Sequence, residues 1–149
     1  MARWWWTVVA AGCDGGVELD GTSPEPDPPN CDGASTYVAG FSVVSAAGLT
    51  VTLVDAVPAP PDVGDNLWTV TVTDAAGAPV SGLASELTPW MPLHAHGLVP
   101  PAYPLVEKAA GSYAVDPFDL IMPGLWEFTL DVGSEGAPDP VVFRFCAQG

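Results

Sequence analysis

The sequence predicts an all-β domain, an immunoglobulin-like sandwich of two antiparallel sheets with about seven strands. Apolar and polar residues alternate with a period of two along several short segments, as in strands that bury one face. Turn-forming residues separate these segments, and no segment has the 3.6-residue periodicity of an amphipathic helix. Short strands at this regular spacing favour a sandwich over other all-β folds.

The predicted elements follow from this pattern in chain order. The clearest strands are residues 49–53, 68–73 and 126–132, and weaker alternation predicts further strands at 36–44, 81–87, 111–116 and 141–146. Gly, Pro and Asp mark the turns at 46–48, 58–64, 74–79 and 133–140. We expect five aromatic residues to form the core: Trp68, Trp126, Phe128, Phe143 and Phe145.

The charges of the chain are strongly unbalanced. The chain contains eighteen acidic residues and only three basic ones, Arg3, Lys108 and Arg144, which gives a formal net charge of −15. A surface this acidic repels nucleic acid and anionic lipid headgroups, so neither is expected as a partner. The acidity is otherwise explained by solubility or salt tolerance and identifies no specific ligand.

The N-terminus has the features of a short lipoprotein-type signal peptide over residues 1–12. A positive start is followed by an apolar run at 4–11, which ends in Gly12 and Cys13. The sequence Ala-Ala-Gly-Cys at 10–13 resembles a bacterial lipobox. This resemblance implies lipidation of Cys13 and a place in the bacterial envelope, facing the periplasm or the exterior, with membrane contact through the lipid alone. The alternative is a fortuitous apolar start on a soluble protein.

The remaining chain divides into a tether and one folded domain. Residues 13–30 are acidic and rich in Pro and Gly, so they predict a disordered tether. Residues 31–149 form the domain, with one cysteine near each end. Because exported proteins meet oxidising conditions, we expect Cys31 and Cys146 to form a disulfide. The competing interpretation, a metal-binding cysteine, lacks a second Cys or a His at ligand spacing.

The main functional signal is the segment Trp-Met-Pro-Leu-His-Ala-His-Gly at 90–97, which contains both histidines of the chain. In an extended segment, His94 and His96 would point to the same side, roughly 7 Å apart. Neutral imidazoles bind copper or zinc, and the thioether of Met91 biases such a pair towards Cu(I). The alternative is a metal-free loop beside a methionine that fills the core.

Several motifs in order produce a more specific resemblance. They are LWTVTVTD at 67–74, DAAGAPVSG at 74–82, MPLHAHG at 91–97, GSY at 111–113 and MPGLW at 122–126. This order is similar to the YtkA-like family of small exported sandwich domains, related in style to FixH-like and CopC-like proteins. The resemblance covers about residues 66–132. It implies copper handling or membrane-linked transport in the bacterial envelope, and it adds Met122 as a second thioether ligand.

Together these features predict a metal site formed by His94, His96, Met91 and Met122. The expected ion is copper, with Cu(I) favoured; zinc is the alternative and would need a fourth ligand from water or a carboxylate such as Glu86. The expected function is copper sequestration or handover to an envelope protein partner. The alternatives are a metal-free structural or accessory lipoprotein domain and an accessory subunit of an envelope transport system. Because the sequence contains no recognised catalytic motif, we expect no enzymatic activity.

Overall fold

The structure is a computed structural model that describes residues 29–134 and 136–149. The predicted signal peptide, Cys13 and residues 13–28 of the tether lie outside the described residues. Nothing in the described part forms a helix long and apolar enough to cross a membrane. The described residues form ten strands: β1 (Phe41–Val44), β2 (Thr50–Val57), β3 (Gly64–Thr73), β4 (Glu86–Met91), β5 (His96–Gly97), β6 (Tyr103–Ala109), β7 (Ser112–Val115), β8 (Phe118–Leu120), β9 (Gly124–Asp131) and β10 (Pro140–Ala147).

The strands form two antiparallel layers that join into a nearly closed, barrel-like sandwich. One layer has the order β1-β2-β3-β7-β6, and the other has β4-β9-β10 with β5 added beside β4. Strands β4 and β6 pair where Glu86 and Leu87 face Pro104 and Tyr103, which connects the two layers along one side. The predicted all-β antiparallel fold is therefore confirmed.

The strand count and some boundaries differ from the prediction of about seven strands. Strands β5 and β8 have two and three residues, which is too short to leave an alternating pattern. Strand β6 alternates buried Tyr103 and Leu105 with exposed residues, but Pro104 hides the pattern because proline disfavours strand interiors. The strand predicted at 81–87 instead begins at Glu86, and the N–H of Gly82 donates to the Glu107 carboxylate at 2.9 Å.

An aromatic cluster fills the space between the layers. The Trp68 ring lies with its centroid 4.6–6.1 Å from the ring centroids of Phe118, Phe128, Phe143 and Phe145. The five aromatic residues predicted for the core are each exposed by 2% or less, which confirms that prediction. Large buried aromatic rings of this kind supply much of the hydrophobic stabilisation of a small domain.

The predicted disulfide between Cys31 and Cys146 is present, with 5.4 Å between the two Cα atoms. It joins the segment before β1 to the end of β10. Beside it, the N–H of Leu125 donates to the carbonyl of Asn30 at 3.1 Å, and Leu125 is the register partner of Cys146. The start of the described chain is therefore held against the first residues of β9.

Replacing both Cys31 and Cys146 by Ala is expected to lower the free energy of unfolding by about 2–5 kcal/mol, because the cross-link restricts the unfolded chain. The two cysteines are 115 residues apart, so the closed loop is long. Urea unfolding of the variant and of oxidised wild-type protein measures the difference. A reductant should destabilise the wild type and leave the variant unchanged. A variant as stable as the oxidised wild type would contradict this expectation.

Asp62, in the loop between β2 and β3, fixes the chain beyond β10. Its Oδ1 accepts hydrogen bonds from the N–H groups of Gln148 at 2.6 Å, Gly149 at 2.8 Å and Val63 at 2.8 Å. The bond from Gly149 contributes most to lowering the pKa of Asp62 below its usual 3.8, because these donors favour the ionised carboxylate. Such a group stabilises the fold above its ordinary pKa, and the contribution is lost as the pH falls through the lowered value.

Asp62→Asn is therefore expected to be less stable than wild type at neutral pH, and this difference should shrink as the pH falls below about 3.8. Thermal unfolding of wild type and of Asp62→Asn, from neutral to strongly acidic pH, measures the two melting temperatures. Asp55→Asn is the control, because Asp55 is an exposed carboxylate on β2. A difference for Asp62→Asn that stays constant across the whole pH range would show that its charge does not matter.

Candidate metal site

The two histidines lie on a tight hairpin at the end of β4. Met91 on β4 and His96 on β5 are register partners, and Trp90 pairs with Gly97. Residues 92–95 form the turn, in which the N–H of Ala95 donates to the carbonyl of Pro92 at 3.3 Å. The sequence pattern predicts that both histidines lie in one extended segment, and this prediction is wrong. His94 is in the turn, and only His96 is on a strand.

A left-handed residue between the histidines makes this turn possible. Ala95 has a φ of 53°, which among the described residues is the one positive φ outside glycine. This conformation costs a residue with a side chain about 1–2 kcal/mol. In the resulting turn the ring centroids of His94 and His96 lie 5.9 Å apart, with 64° between their planes. The turn thus achieves the juxtaposition that the sequence predicts, by a different backbone route.

The two rings are close enough to bind one ion. A metal–nitrogen bond of about 2 Å to each ring allows centroids up to roughly 6 Å apart. The Nδ1 atom of His96 lies 3.1 Å from the carbonyl oxygen of Gly97. In the tautomer in which Nδ1 donates to this oxygen, Nε2 is free to coordinate, an arrangement typical of metal-binding histidines. His94 is exposed and makes no hydrogen bond to another described side chain or main-chain group.

Both predicted methionines line one pocket at this end of the sandwich. The pocket has a volume of about 260 Å³ and is also lined by His94, Leu93 and Asn30. Met91 has 1% of its surface exposed, whereas Met122 is partly buried and packs against the core. The structure therefore brings Met91, Met122 and His94 to one cavity, and His96 adjoins it through the His94 ring and the register pairing with Met91.

Gly124 makes space for the Met91 side chain. A Cβ atom at Gly124 would lie 2.9 Å from the Met91 Cε atom. Gly124 also has a φ of 131°, a conformation that residues with a side chain rarely adopt. The glycine of the Met-Pro-Gly-Leu-Trp motif is thus required by packing as well as by backbone conformation. Sequence analysis does not identify it, because the clash involves a residue 33 positions earlier in the chain.

Trp126, predicted only as a core residue, also contacts the site. Its ring centroid lies 5.9 Å from that of His96, with 74° between the ring planes. Its Nε1–H donates to the carbonyl of Met122 at 3.0 Å. The only sequence signal for this contact is that Met122 and Trp126 share one motif.

The position of Glu86 bears on one form of the zinc alternative, in which this carboxylate is the fourth ligand. Glu86 and Met91 are five residues apart on β4, so they lie roughly 16 Å apart along the strand, and Glu86 does not reach the pocket. In the described part of the chain, no three His, Cys, Asp or Glu side chains are grouped to hold an ion. The donor atoms that these four side chains offer near the pocket are imidazole nitrogen and thioether sulfur.

A larger groove, of about 950 Å³, lies at the opposite end of the sandwich. It is lined by residues 82–86 and parts of 131–138, including Ser85, Glu86 and Asp131. No histidine or methionine is among its described lining residues. This groove is therefore separate from the candidate metal site.

Comparison with known protein families supports the motif analysis. The YtkA-like family profile matches residues 44–131, which cover more than half of the chain and include all four predicted ligands. The chain therefore belongs to the YtkA-like family, as the order of its motifs predicts. No curated protein and no solved structure gives a significant match.

Gly124→Ala is expected to destabilise the domain by about 1–3 kcal/mol beyond the backbone cost, because the new methyl group overpacks against Met91. Gly77→Ala is the matched control, since Gly77 has a φ of 83° and no neighbouring atom within 4 Å of its Cβ position. Urea unfolding compares the two variants. Adding Met91→Ala should relieve part of the Gly124→Ala cost in a double-mutant cycle. Equal losses for both glycine variants would argue against the contact.

Proposed function

We propose that this domain binds a copper ion, with Cu(I) favoured, and sequesters it or hands it over in the bacterial envelope. The observation that carries the proposal is that Met91, His94 and Met122 line one small pocket, with the His96 ring centroid 5.9 Å from that of His94. Imidazole and thioether donors suit Cu(I) and need no thiolate. This suits an oxidising compartment, because Cys31 and Cys146 are already paired with each other.

The four side chains have different roles in the proposed site. Met91 is buried, and His96 lies between the Gly97 carbonyl and the Trp126 ring. These two residues form the retaining side. His94 is exposed in the turn and Met122 is only partly buried, so they form the open side. A partner's soft ligands would reach the open side first, and handover would proceed by exchange of His94 and Met122.

The proposed lipid anchor at Cys13 bears on where this open side lies relative to the membrane. The described chain begins at Pro29, which itself lines the pocket. If Cys13 is lipidated, the tether of residues 13–30 leaves the domain at the metal-site end. The pocket would then lie at the end of the domain that the tether joins to the membrane, within reach of a membrane-linked partner. The net charge of −15 would raise the concentration of cations around the domain.

A metal-free structural or accessory role is the second candidate, and the burial of Met91 favours it. A methionine with 1% exposure is fully explained by core packing. The two functions differ in their response to metal, since a ligand that binds only the native state raises its melting temperature. A saturating Cu(I) concentration that leaves the melting temperature unchanged would favour the structural role.

The double variant His94→Ala/His96→Ala is expected to lower Cu(I) affinity by more than about 100-fold, since losing outer contacts of a metal site alone costs about 10–100-fold. Anaerobic competition with a chromophoric Cu(I) chelator measures the affinity. Wild-type affinity should also fall as the solution is acidified, because metal ligands must be deprotonated to bind.

Two conservative variants separate the methionine roles. Met122→Leu should weaken binding while retaining the fold. Met91→Leu should weaken binding if Met91 is a ligand and leave it unchanged if Met91 only fills the core. Unchanged affinity in the double histidine variant, with an intact fold by circular dichroism, would remove the copper proposal.

A further inference from the structure

The Trp126 side chain contacts the His96 ring and the main chain of Met122, which belong to the two kinds of proposed ligand. Its ring lies edge-on to the His96 ring, and its Nε1–H donates to the main-chain carbonyl of Met122. Trp126 is fully buried, and its register partner on β10 is Phe145. It is therefore a rigid support attached to the core.

The hydrogen bond from the Trp126 indole holds the main chain of Met122 in place. Met122 lies outside the strands, followed by Pro123, which has no N–H group, and Gly124, with its left-handed backbone. Within the described residues, the bond from Trp126 is the hydrogen bond that fixes the Met122 main chain. Without the bond from Trp126, the Met122 thioether would belong to a segment whose main chain makes no strand-pairing hydrogen bond.

Comparison with Trp68 shows that core packing alone does not require this bond. Trp68 is also buried, at 2% exposure, but its Nε1 has no hydrogen-bond partner among the described residues. Phenylalanine occupies the neighbouring inward positions at 128, 143 and 145. A buried indole N–H normally finds an acceptor, and at Trp126 the acceptor lies on the wall of the metal pocket.

We infer that Trp126 is the positioning residue of the site. It sets the distance between His96 and Met122 and holds both in place before an ion arrives. The inference rests on the proposed function and deepens it, because it explains how the ligand set is organised in advance. A preorganised site binds more tightly, since less side-chain freedom is lost on binding.

The test compares Trp126→Phe with Trp68→Phe. Both substitutions remove the same atoms from buried positions, so both should lower the melting temperature. Only Trp126→Phe removes a hydrogen bond to the pocket. We expect Trp68→Phe to bind Cu(I) with wild-type affinity and Trp126→Phe to bind at least about tenfold more weakly. Equal Cu(I) affinity for the two variants would overturn the inference.

A second measurement uses the metal-free protein and covers a failure of Trp126→Phe to fold. Benzothienylalanine at position 126 keeps the size and shape of the indole and replaces only its N–H by sulfur. We expect the domain to fold and the Met122 methyl NMR signal to shift and broaden, because its main chain is released. The Met91 methyl signal is the internal control. A Met122 signal identical to that of wild type would overturn the inference.

Failure of the proposed function gives a different result. If neither wild type nor Trp68→Phe binds Cu(I), the copper proposal fails, and the metal-free Met122 signal alone decides the positioning role. If both bind Cu(I) and Trp126→Phe binds equally well, the copper proposal stands and the positioning role is wrong.

Discussion

The packing of β9 between its neighbours is the constraint on which the rest of the structure depends. Its inward positions are Gly124, Trp126, Phe128 and Leu130, which are all buried. Phe128 lies 4.6 Å from Trp68 between the ring centroids, the closest aromatic contact described in the core. A shift of β9 by one residue would turn every one of these side chains to the outer face. The core therefore fixes the register that presents Trp126 and Gly124 to the candidate site.

The same strand explains why the site lies at one end of the sandwich. β9 begins at the pocket, and its first residues are fixed by the Asn30 carbonyl, the register pairing with Cys146 and the disulfide. Asp62 holds the end of the chain by accepting hydrogen bonds from the N–H groups of Gln148 and Gly149. These links are long-range, and of them only the pairing of Leu125 with Cys146 belongs to the strand ladder. They hold the residues around the pocket in place, in a region that consists of loops and contains prolines.

The site itself combines a firm side with an accessible one. The buried thioether of Met91 and the supported ring of His96 are parts of the core, whereas His94 projects from a turn. Glu86 lies at the other end of β4 from Met91, away from this pocket. Membership in the YtkA-like family is established; the ion and the cellular address are proposals.

The sequence by itself determined the fold class, the core aromatics, the cysteine pair and the family, because alternation and motif order are local patterns that each strand carries. It also indicated the four candidate ligands. It did not reveal strands as short as β5 and β8, nor β6, whose pattern Pro104 hides. Only the tertiary structure decided that Ala95 turns the histidine segment back on itself, that Gly124 accommodates Met91 and that Trp126 supports both His96 and Met122. A left-handed alanine has no signature in residue type, and the other contacts depend on how hairpin, turn and strand meet in space.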